Sequence, residues 1–519
     1  MRKPEDNPKT AVAIIGSGMA GLVSGYLLKQ DRSQRFNVQV FEMQNELSLD
    51  SASITVPSED GRGTRVDLPM RAFAGGFYSN LRRMYNHLGV KYIPIQFLFP
   101  LSKAPMRSGS SCNKDNREGQ DDIKPTPSKP YFIHSSNNHR VPPVRPEHLG
   151  LWDWITESIY LLFCFTWYTL CCFFIPPYTS RTRYRSASDA ATAGLSSKVD
   201  ENALLSESLG EYLQRIWLPT YFTQNYIIPQ FSAVTTCSHE ALLKFPAKDL
   251  VEYATRTFNV PYYVVQGGVN IVEKKLANGL DIQLNSRVIS VESIPGNHSS
   301  NNKVRISYRT SADGTIHTSD FDHVIMAVTP DVVGAIFHPL RAAMAQVPTT
   351  PVESVVHNDT SSLHALLSNS NKKAVTQANP STTPSSRQAT ETQVIHVRSS
   401  PTGFTEAVHE CAASLLVTTV PITPIDPTKV IHRTRFTRVL RTPHSKEVVN
   451  HIFDYGVGAG AAVSGVDEKG VRQWRNGDGN VWLVGGWCWD GMVLLEGCVV
   501  SAMRVADALG VDVPWRGMA

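Results

Sequence analysis

The sequence predicts an α/β protein built on a dinucleotide-binding domain, and three observations carry that prediction. An apolar run, Ala11-Val-Ala-Ile-Ile15, leads directly into Gly16-Ser17-Gly18-Met19-Ala20-Gly21. A second apolar run, Val38-Gln-Val-Phe41, is closed by an acid, Glu42. Near the far end, Asn480-Val-Trp-Leu-Val-Gly485-Gly486 is another strand meeting a glycine pair, and Glu496-Gly497 then opens a helix running to Leu509.

Each piece has a physical reason. Ala11 to Ile15 carries no polar side chain, as a parallel strand buried on both faces requires. Gly16 permits the tight turn and Gly18 lets a pyrophosphate approach the backbone. Gly21 lets helix and strand pack closely, while Ser17, Met19 and Ala20 complete the turn and begin the helix. Leu22, Tyr26 and Leu27 mark that helix, whose N-terminus directs free N–H groups at an anion. Glu42 stands where a carboxylate can accept ribose hydroxyls. A bare G-x-G-x-x-G is a weak signal; following a strand, opening a helix and answered by an acid, it is a specific one.

Further along, Leu81 to Gly89 reads as a helix with Leu81, Met84, Tyr85 and Leu88 on one face. Leu209 to Trp217 and Val269 to Ala277 read as helices as well. Pro261 to Val265, Leu280 to Asn285, Arg287 to Val291, Val304 to Tyr308, Asp322 to Thr329, Leu415 to Val420 and Ile431 to Arg441 read as strands. Two polar stretches, Lys103 to Glu147 and His357 to Glu391, read as inserted, poorly ordered loops. Strands alternating with long insertions fit one domain inserted into another.

Composition narrows the function. The net charge is 50 − 46 = +4 over 519 residues, and basic groups such as Arg181-Thr-Arg183-Tyr-Arg185 are local, which argues against a nucleic-acid partner. The eight cysteines show no C-x-x-C and no zinc spacing, so they read as small hydrophobes in a reducing compartment, with no metal site. The N-terminus has no apolar leader, and the expected location is intracellular.

Ser158 to Ile175 is free of charge and ends at Pro176-Pro177. Length and composition make it a membrane candidate. A simple crossing would separate the two ends of the chain that build one cofactor domain. Three readings stay open: a helix dipping into or lying on lipid, a helix buried in the second domain, or a helix lining a channel for an apolar substrate.

The C-terminal strand, glycine pair and helix form a second anion-binding arrangement. One helix N-terminus suits a pyrophosphate. The other suits the electron-rich edge of a flavin, where a positive dipole stabilises the reduced ring. FAD is therefore favoured over NAD.

The chain resembles the FAD-dependent amine oxidase and phytoene desaturase superfamily, and within it the NAD/FAD-binding flavoprotein oxidoreductases of fungi and bacteria. The resemblance rests on Gly16 to Gly21 with Glu42, on Val66-Asp-Leu-Pro-Met-Arg-Ala-Phe-Ala-Gly-Gly-Phe-Tyr-Ser-Asn80 before Leu88-Gly-Val90, and on Phe245-Pro-Ala247. Gln266-Gly-Gly268, Ala327-Val-Thr-Pro330 and Trp482-Leu-Val-Gly-Gly-Trp487 with Glu496-Gly497 complete it. It implies a Rossmann-like FAD domain of the GR2 type with an inserted mixed-sheet and helical substrate domain. The FAD domain would comprise residues 1–100, 261–330 and 471–519. A polar insert would take 101–150, a helical, membrane-proximal region 151–260, and the substrate domain 331–470. The resemblance further implies that Val288 presents its backbone to adenine, and that Gly485, Gly486, Glu496 and Gly497 meet the cofactor. One departure matters: the family's Gly-Gly and arginine after the acid are replaced by Glu46-Leu-Ser-Leu-Asp-Ser-Ala52, so Ser51, Ser53 or Arg71 must meet the pyrophosphate there.

The leading expectation is an FAD-dependent dehydrogenase, desaturase or oxidase acting on an apolar or lipid-like molecule. A soluble amine or amino-acid oxidase and a catalytically degenerate flavoprotein scaffold are the alternatives. No catalytic base stands out. His239, His323 and His432 read as packing or surface histidines, and Trp217, Tyr221, Phe222 and Tyr226 as core.

Overall fold

A computed structural model of the protein describes residues 9–57, 63–104, 129–136, 145–146, 148–180, 205–295, 302–311, 314–363, 391–411, 414–453 and 474–518. Most of the two polar stretches and the Arg181 to Arg185 cluster lie outside the described residues.

Two sheets organise the chain. The first has five parallel strands, in the order Val481–Leu483, His323–Met326, Thr10–Ile15, Phe36–Phe41 and Asp281–Gln283. Five segments far apart in sequence thus build one sheet. The central strand is apolar on both faces because both are covered. Val12 and Ile14 pack on α1 (Met19–Lys29) and on a C-terminal helix, through Leu22, Val23, Val499 and Ala502. Ala13 and Ile15 face the opposite layer, an antiparallel three-stranded sheet of Ser286–Ile294, Lys303–Thr310 and Ile316–Phe321, where Phe41 meets Phe321 edge-on at 5.9 Å.

The second sheet has nine strands and is mixed. Val430–Val439 forms one edge, followed by Thr349–His357, Leu416–Thr419, Thr405–Glu410 and Glu391–Ser399. Glu391–Ser399 then pairs parallel with the long strand Tyr92–Lys103, and Tyr262–Val265 and Phe73–Ala74 complete the order, with Pro130–Ser135 off the main path. The domain limits expected from sequence shift accordingly. Residues 92–100 and Tyr262–Val265, expected in the FAD half, and residues 101–103, expected in the polar insert, pair into the substrate sheet. Tyr92–Lys103 gave no strand signal because Pro94 and Pro100 interrupt it.

Helices cover one face of this sheet. The longest, α3, spans Leu151–Phe174, and α4 (Ile228–Thr235) and α5 (Ala247–Thr257) join it, whereas the shorter α2 (Ser79–His87) packs in the core of the first sheet's half. Leu161, Cys164, Tyr168, Cys171 and Cys172 of α3 pack into a core with Phe97, Ile395, Phe222 and Tyr226. Its other face is solvent-exposed: Trp152, Ile159, Leu162, Phe163, Trp167, Leu170, Phe173 and Phe174. The reading of this segment as a fully buried helix is therefore corrected: too little of the second domain surrounds it, and only 28% of its most apolar stretch is covered. The expected aromatic core divides similarly. Phe222 and Tyr226 are buried, whereas Trp217 and Tyr221 are exposed.

Candidate functional site

The glycine turn takes the predicted form. Gly16 has φ +98°, and a side chain there would stand 2.8 Å from the Ala327 carbonyl. A side chain on Gly21 would collide with the Gly16 carbonyl. Gly18 differs: the nearest atom to an added Cβ is Ser48 Oγ, at 3.8 Å. It is the N-cap of α1, no side chain caps the helix, and Gly18, Met19 and Ala20 line a large cavity. Space is left where a phosphate would approach.

Ser17 and Glu42 are buried against each other. Ser17 donates to Glu42 Oε2 through its N–H (3.0 Å) and its hydroxyl (2.6 Å), and Gln44 N–H reaches Oε1 at 3.1 Å. The residues that replace the family's glycine pair fold onto this turn, Ser48 N–H donating to Ser17 Oγ at 2.8 Å. Ser286 N–H donates to the Glu42 carbonyl at 2.8 Å, which brings the strand carrying Val288 beside the acid. Gly16, Ser17, Gly21, Glu42 and Val288 stand behind the cavity wall, not on it.

The C-terminal elements meet the same cavity. Gly485 and Gly486 line it. Ser501, on α6 (Leu495–Ala508), accepts from Gly485 N–H at 2.9 Å, fixing the glycine pair on the helix. Gly497 is held by close approach, since an added Cβ would lie 2.6 Å from the Gly486 carbonyl. Buried Arg441 donates to the carbonyls of Trp487 (2.6 Å), Trp489 (2.7 Å) and Gly491 (2.8 Å), which shapes the intervening loop. Glu496, expected at the cofactor, is a correction. It does not line the cavity, and its two carboxylate oxygens accept from Asn80 N–H (2.9 Å), Asn80 Nδ2 (2.8 Å) and Leu81 N–H (3.0 Å). It caps α2, whose first N–H groups need an acceptor. Burial raises its pKa.

Between the two glycine turns lies a cluster of ionisable groups. Arg71 lines the cavity, donates to the Leu49 carbonyl at 2.9 Å and leaves a buried Nε without a partner. Burial holds its pKa below the usual arginine range. Arg65 pairs with Asp50 and lies 3.5 Å from Asp67, which accepts from Val269 N–H at 2.9 Å. Asp50 N–H in turn donates to Glu273 (2.9 Å), whose pKa burial and the Asp50 charge push up to about 7. Of the serines expected to meet pyrophosphate, Ser53 accepts from Leu68 N–H at 3.0 Å and Ser51 donates to Ser48 O at 3.5 Å. Neither lines the cavity. Arg71 does, and its orphaned Nε, the open face of Gly18 and the paired helix N-termini fit a diphosphate.

The cavity measures about 940 Å³ and continues past these groups into the second domain. There its walls are Phe97, Ile395 and Val417 from the sheet and Phe165, Cys172 and Phe258 from the helices. Sequence reasoning missed Gln230, Gln393, His409, Cys411 and Arg438, which also line it. His409 Nε2 donates to Gln393 Oε1 at 2.7 Å, and burial lowers its pKa to about 4 while raising that of Cys411 to about 12, so both are neutral. His239, His323 and His432 do not line the cavity. The sulfur atoms and histidines form no metal cluster among the described residues.

A parallel sheet with a glycine turn, a second glycine turn returned by the far end of the chain and a shared cavity between two domains define a dinucleotide-dependent oxidoreductase. Comparison with known families makes this specific. Residues 14–88 match the NAD(P)-binding Rossmann-like domain, and residues 181–510, more than half the chain, match the flavin containing amine oxidoreductase family. The chain belongs to the flavin containing amine oxidoreductase family and is an FAD-dependent oxidoreductase. No curated protein matches it. Helix α3 lies between the two matched ranges.

Proposed function

We propose that the protein oxidises an apolar, lipid-like molecule that reaches the cavity from a membrane surface on which α3 lies. The observation that carries this reading is the double role of α3. Phe165, Tyr168, Thr169 and Cys172 line the cavity, exposed Phe173 stands at its edge, and the opposite face is an uncovered apolar strip. That strip includes Phe163 at 72% and Phe174 at 77% exposure, and among its exposed positions only Thr156 and Thr166 are polar apart from Asp153 at the N-terminal end. Trp167 donates to the Ile216 carbonyl at 2.8 Å, which sets exposed Trp217 beside the strip, and Phe173 packs on exposed Phe258 at 5.6 Å. Apolar patches of this extent mark a partner surface, and aromatic residues favour the lipid–water boundary.

A helix of this length is about 36 Å long, enough to cross a bilayer. Its attachments favour lying flat. Glu157 near one end accepts from Tyr221 (3.1 Å) and Tyr226, Trp167 is held at the middle, and Ile175 O accepts from Tyr212 at 3.0 Å at the other end. A helix clamped along its whole length to one protein layer offers a side to lipid, not an end.

Gly16, Gly18, Gly21, Gly485, Gly486 and Gly497 would shape the FAD site, with Met19, Ala20 and Arg71 at its wall and Ser17, Glu42 and Val288 supporting it. FAD supplies acceptance of a hydride or two electrons from a C–H bond. The chain's own contribution is to orient that bond, exclude water and hold the ring edge near the α6 N-terminus.

The family description favours an amine as the competing substrate. The cavity lining weighs against it: Asp67 is the single carboxylate among the described lining residues, and it already faces Val269 and Arg65. The test is anaerobic reduction of the bound flavin. Bleaching by a lipid extract and not by a panel of amines and amino acids is expected; bleaching by amines alone would overturn the proposal.

A further inference from the structure

Arg438 is the charged group that the preceding reading leaves without a task. It sits on the strand Val430–Val439, where side chains alternate between two faces. Arg433 and Arg435 turn outward and share Glu353, Arg435 at 3.2 Å. Arg438 falls on the opposite face and lines the cavity.

Its surroundings are neutral. Arg438 donates through Nε to the Thr235 carbonyl (3.3 Å) and through Nη2 to the Val234 carbonyl (3.2 Å), and among the described residues no carboxylate pairs with it. A guanidinium has five N–H donors in a fixed fork, and two long bonds to carbonyls leave most of that fork open to the cavity. Tyr78, Cys237, Arg71 and Cys498 are the titratable groups that act on it, and none is an anion: burial raises the pKa of Tyr78, Cys237 and Cys498. A half-buried cation without a counter-charge is costly, and the cost falls when an anion arrives. The cofactor's phosphates belong beside Gly18 and Arg71, in the half of the cavity built by the parallel sheet. Arg438 comes from the other sheet, which supplies the apolar walls.

We propose that the substrate is an apolar chain ending in an anionic head, carboxylate or phosphate, and that Arg438 receives that head inside the cavity. The inference rests on the reading of the cavity as an apolar substrate site. It also accounts for the lack of an acid suited to an amine: a cavity holding an uncompensated guanidinium repels an ammonium group. A head group charged at one end and a chain matching the walls of Phe97, Phe165 and Phe258 would fix which C–H bond stands nearest the flavin.

The test uses the flavin-loaded full chain, titrated with oleate, oleyl phosphate and methyl oleate below their aggregation limits, with binding read from the flavin spectrum and by calorimetry. At least one anionic probe is expected to bind tenfold or more tighter than the ester, and the tighter of the two identifies the head. Arg438→Met should remove that difference, weakening the anion ten- to a hundredfold while methyl oleate, flavin content and melting temperature stay unchanged; Arg438→Lys should restore part of it. Equal binding of anions and ester by the unaltered protein overturns the inference and leaves the apolar site standing, and this comparison needs no variant. A preference that persists in Arg438→Met, or an equal loss of all three probes, also overturns it. If the unaltered protein binds none of the three, the apolar-substrate reading fails, and the inference with it.

Discussion

Helices α6 and α3 border opposite halves of one cavity, and both are apolar, yet the fold treats them differently. α6 is covered: Val499, Ala502, Val505 and Ala506 are buried against α1 and the parallel sheet, and even Glu496 and Ser501 are buried with partners. α3 buries one side only and leaves nine large apolar side chains exposed, Leu151 at its start among them. The difference locates what is missing. At the α6 end the glycine pair faces the cavity, and the buried polar side chains Glu496 and Ser501 are satisfied within the protein. At the α3 end an apolar surface outside the cavity continues the character of its interior, as a route from lipid requires.

The sharpest way to break the α6 half is Gly497→Val. The new side chain would strike Trp489 and the Gly486 carbonyl, so the purified protein should lose its flavin absorbance entirely. A yellow variant would show that this glycine pair does not shape the cofactor site. Gly18→Val makes the complementary test, because it places bulk in open space where pyrophosphate is expected. Retained biological function in a flavin-free Gly18→Val protein would favour the scaffold alternative over an enzyme.

The corresponding attack on α3 replaces Leu162, Phe163, Leu170 and Phe174 together with serine. Each large apolar side chain contributes about 1.5–3 kcal/mol when fully buried, so partition onto liposomes should fall at least a hundredfold in flotation assays. The melting temperature should hardly move, since these residues touch solvent in the folded chain. Unchanged flotation would detach α3 from lipid.

Smaller effects probe how the α6 half is held. Glu496→Gln presents an amide to the N–H groups at the start of α2 and should cost about 1–3 kcal/mol in denaturant unfolding. Activity loss without any stability loss would return Glu496 to the cofactor. The smallest effect is a pH dependence. Because the pKa of Glu273 lies near 7 in the folded chain against 4.5 ordinarily, the folded state keeps a proton that the unfolded state releases between those values. Stability should therefore fall as pH rises through that window, and Glu273→Gln should flatten the slope at its upper end. An unchanged slope would mean that the Asp50 and Arg65 network does not hold this proton.

Legibility in the sequence follows the same division. The cofactor half was readable because backbone geometry demands particular residues: Gly16 needs a positive φ, and Gly21 tolerates no Cβ beside Gly16. What the motif could not give was the use of Glu496, since a carboxylate at a helix start serves its own helix, a neighbouring helix or a ligand equally well. The substrate half was readable only as composition. The apolar run announced α3 but not its orientation, because nine exposed and five buried positions share one hydrophobic alphabet. Arg438 left one signal, the change of face after Arg433 and Arg435, and its meaning depends on which side of the strand faces the cavity. Tyr92–Lys103 and Glu391–Ser399 pair across nearly three hundred residues, a register that no local pattern encodes.

The account stands on α3 lying flat on lipid beside the cavity, and depth measurement tests this directly. Nitroxides placed singly at Trp152, Ile159, Phe163, Leu170 and Phe174 on liposome-bound protein would be compared for accessibility to oxygen and to a water-soluble nickel chelate. All five should sit at a similar shallow depth in the boundary region. A depth that rises to a maximum at mid-helix and falls again would mean a crossing, equal access to both reagents at every site would mean no lipid contact, and either result would contradict the account.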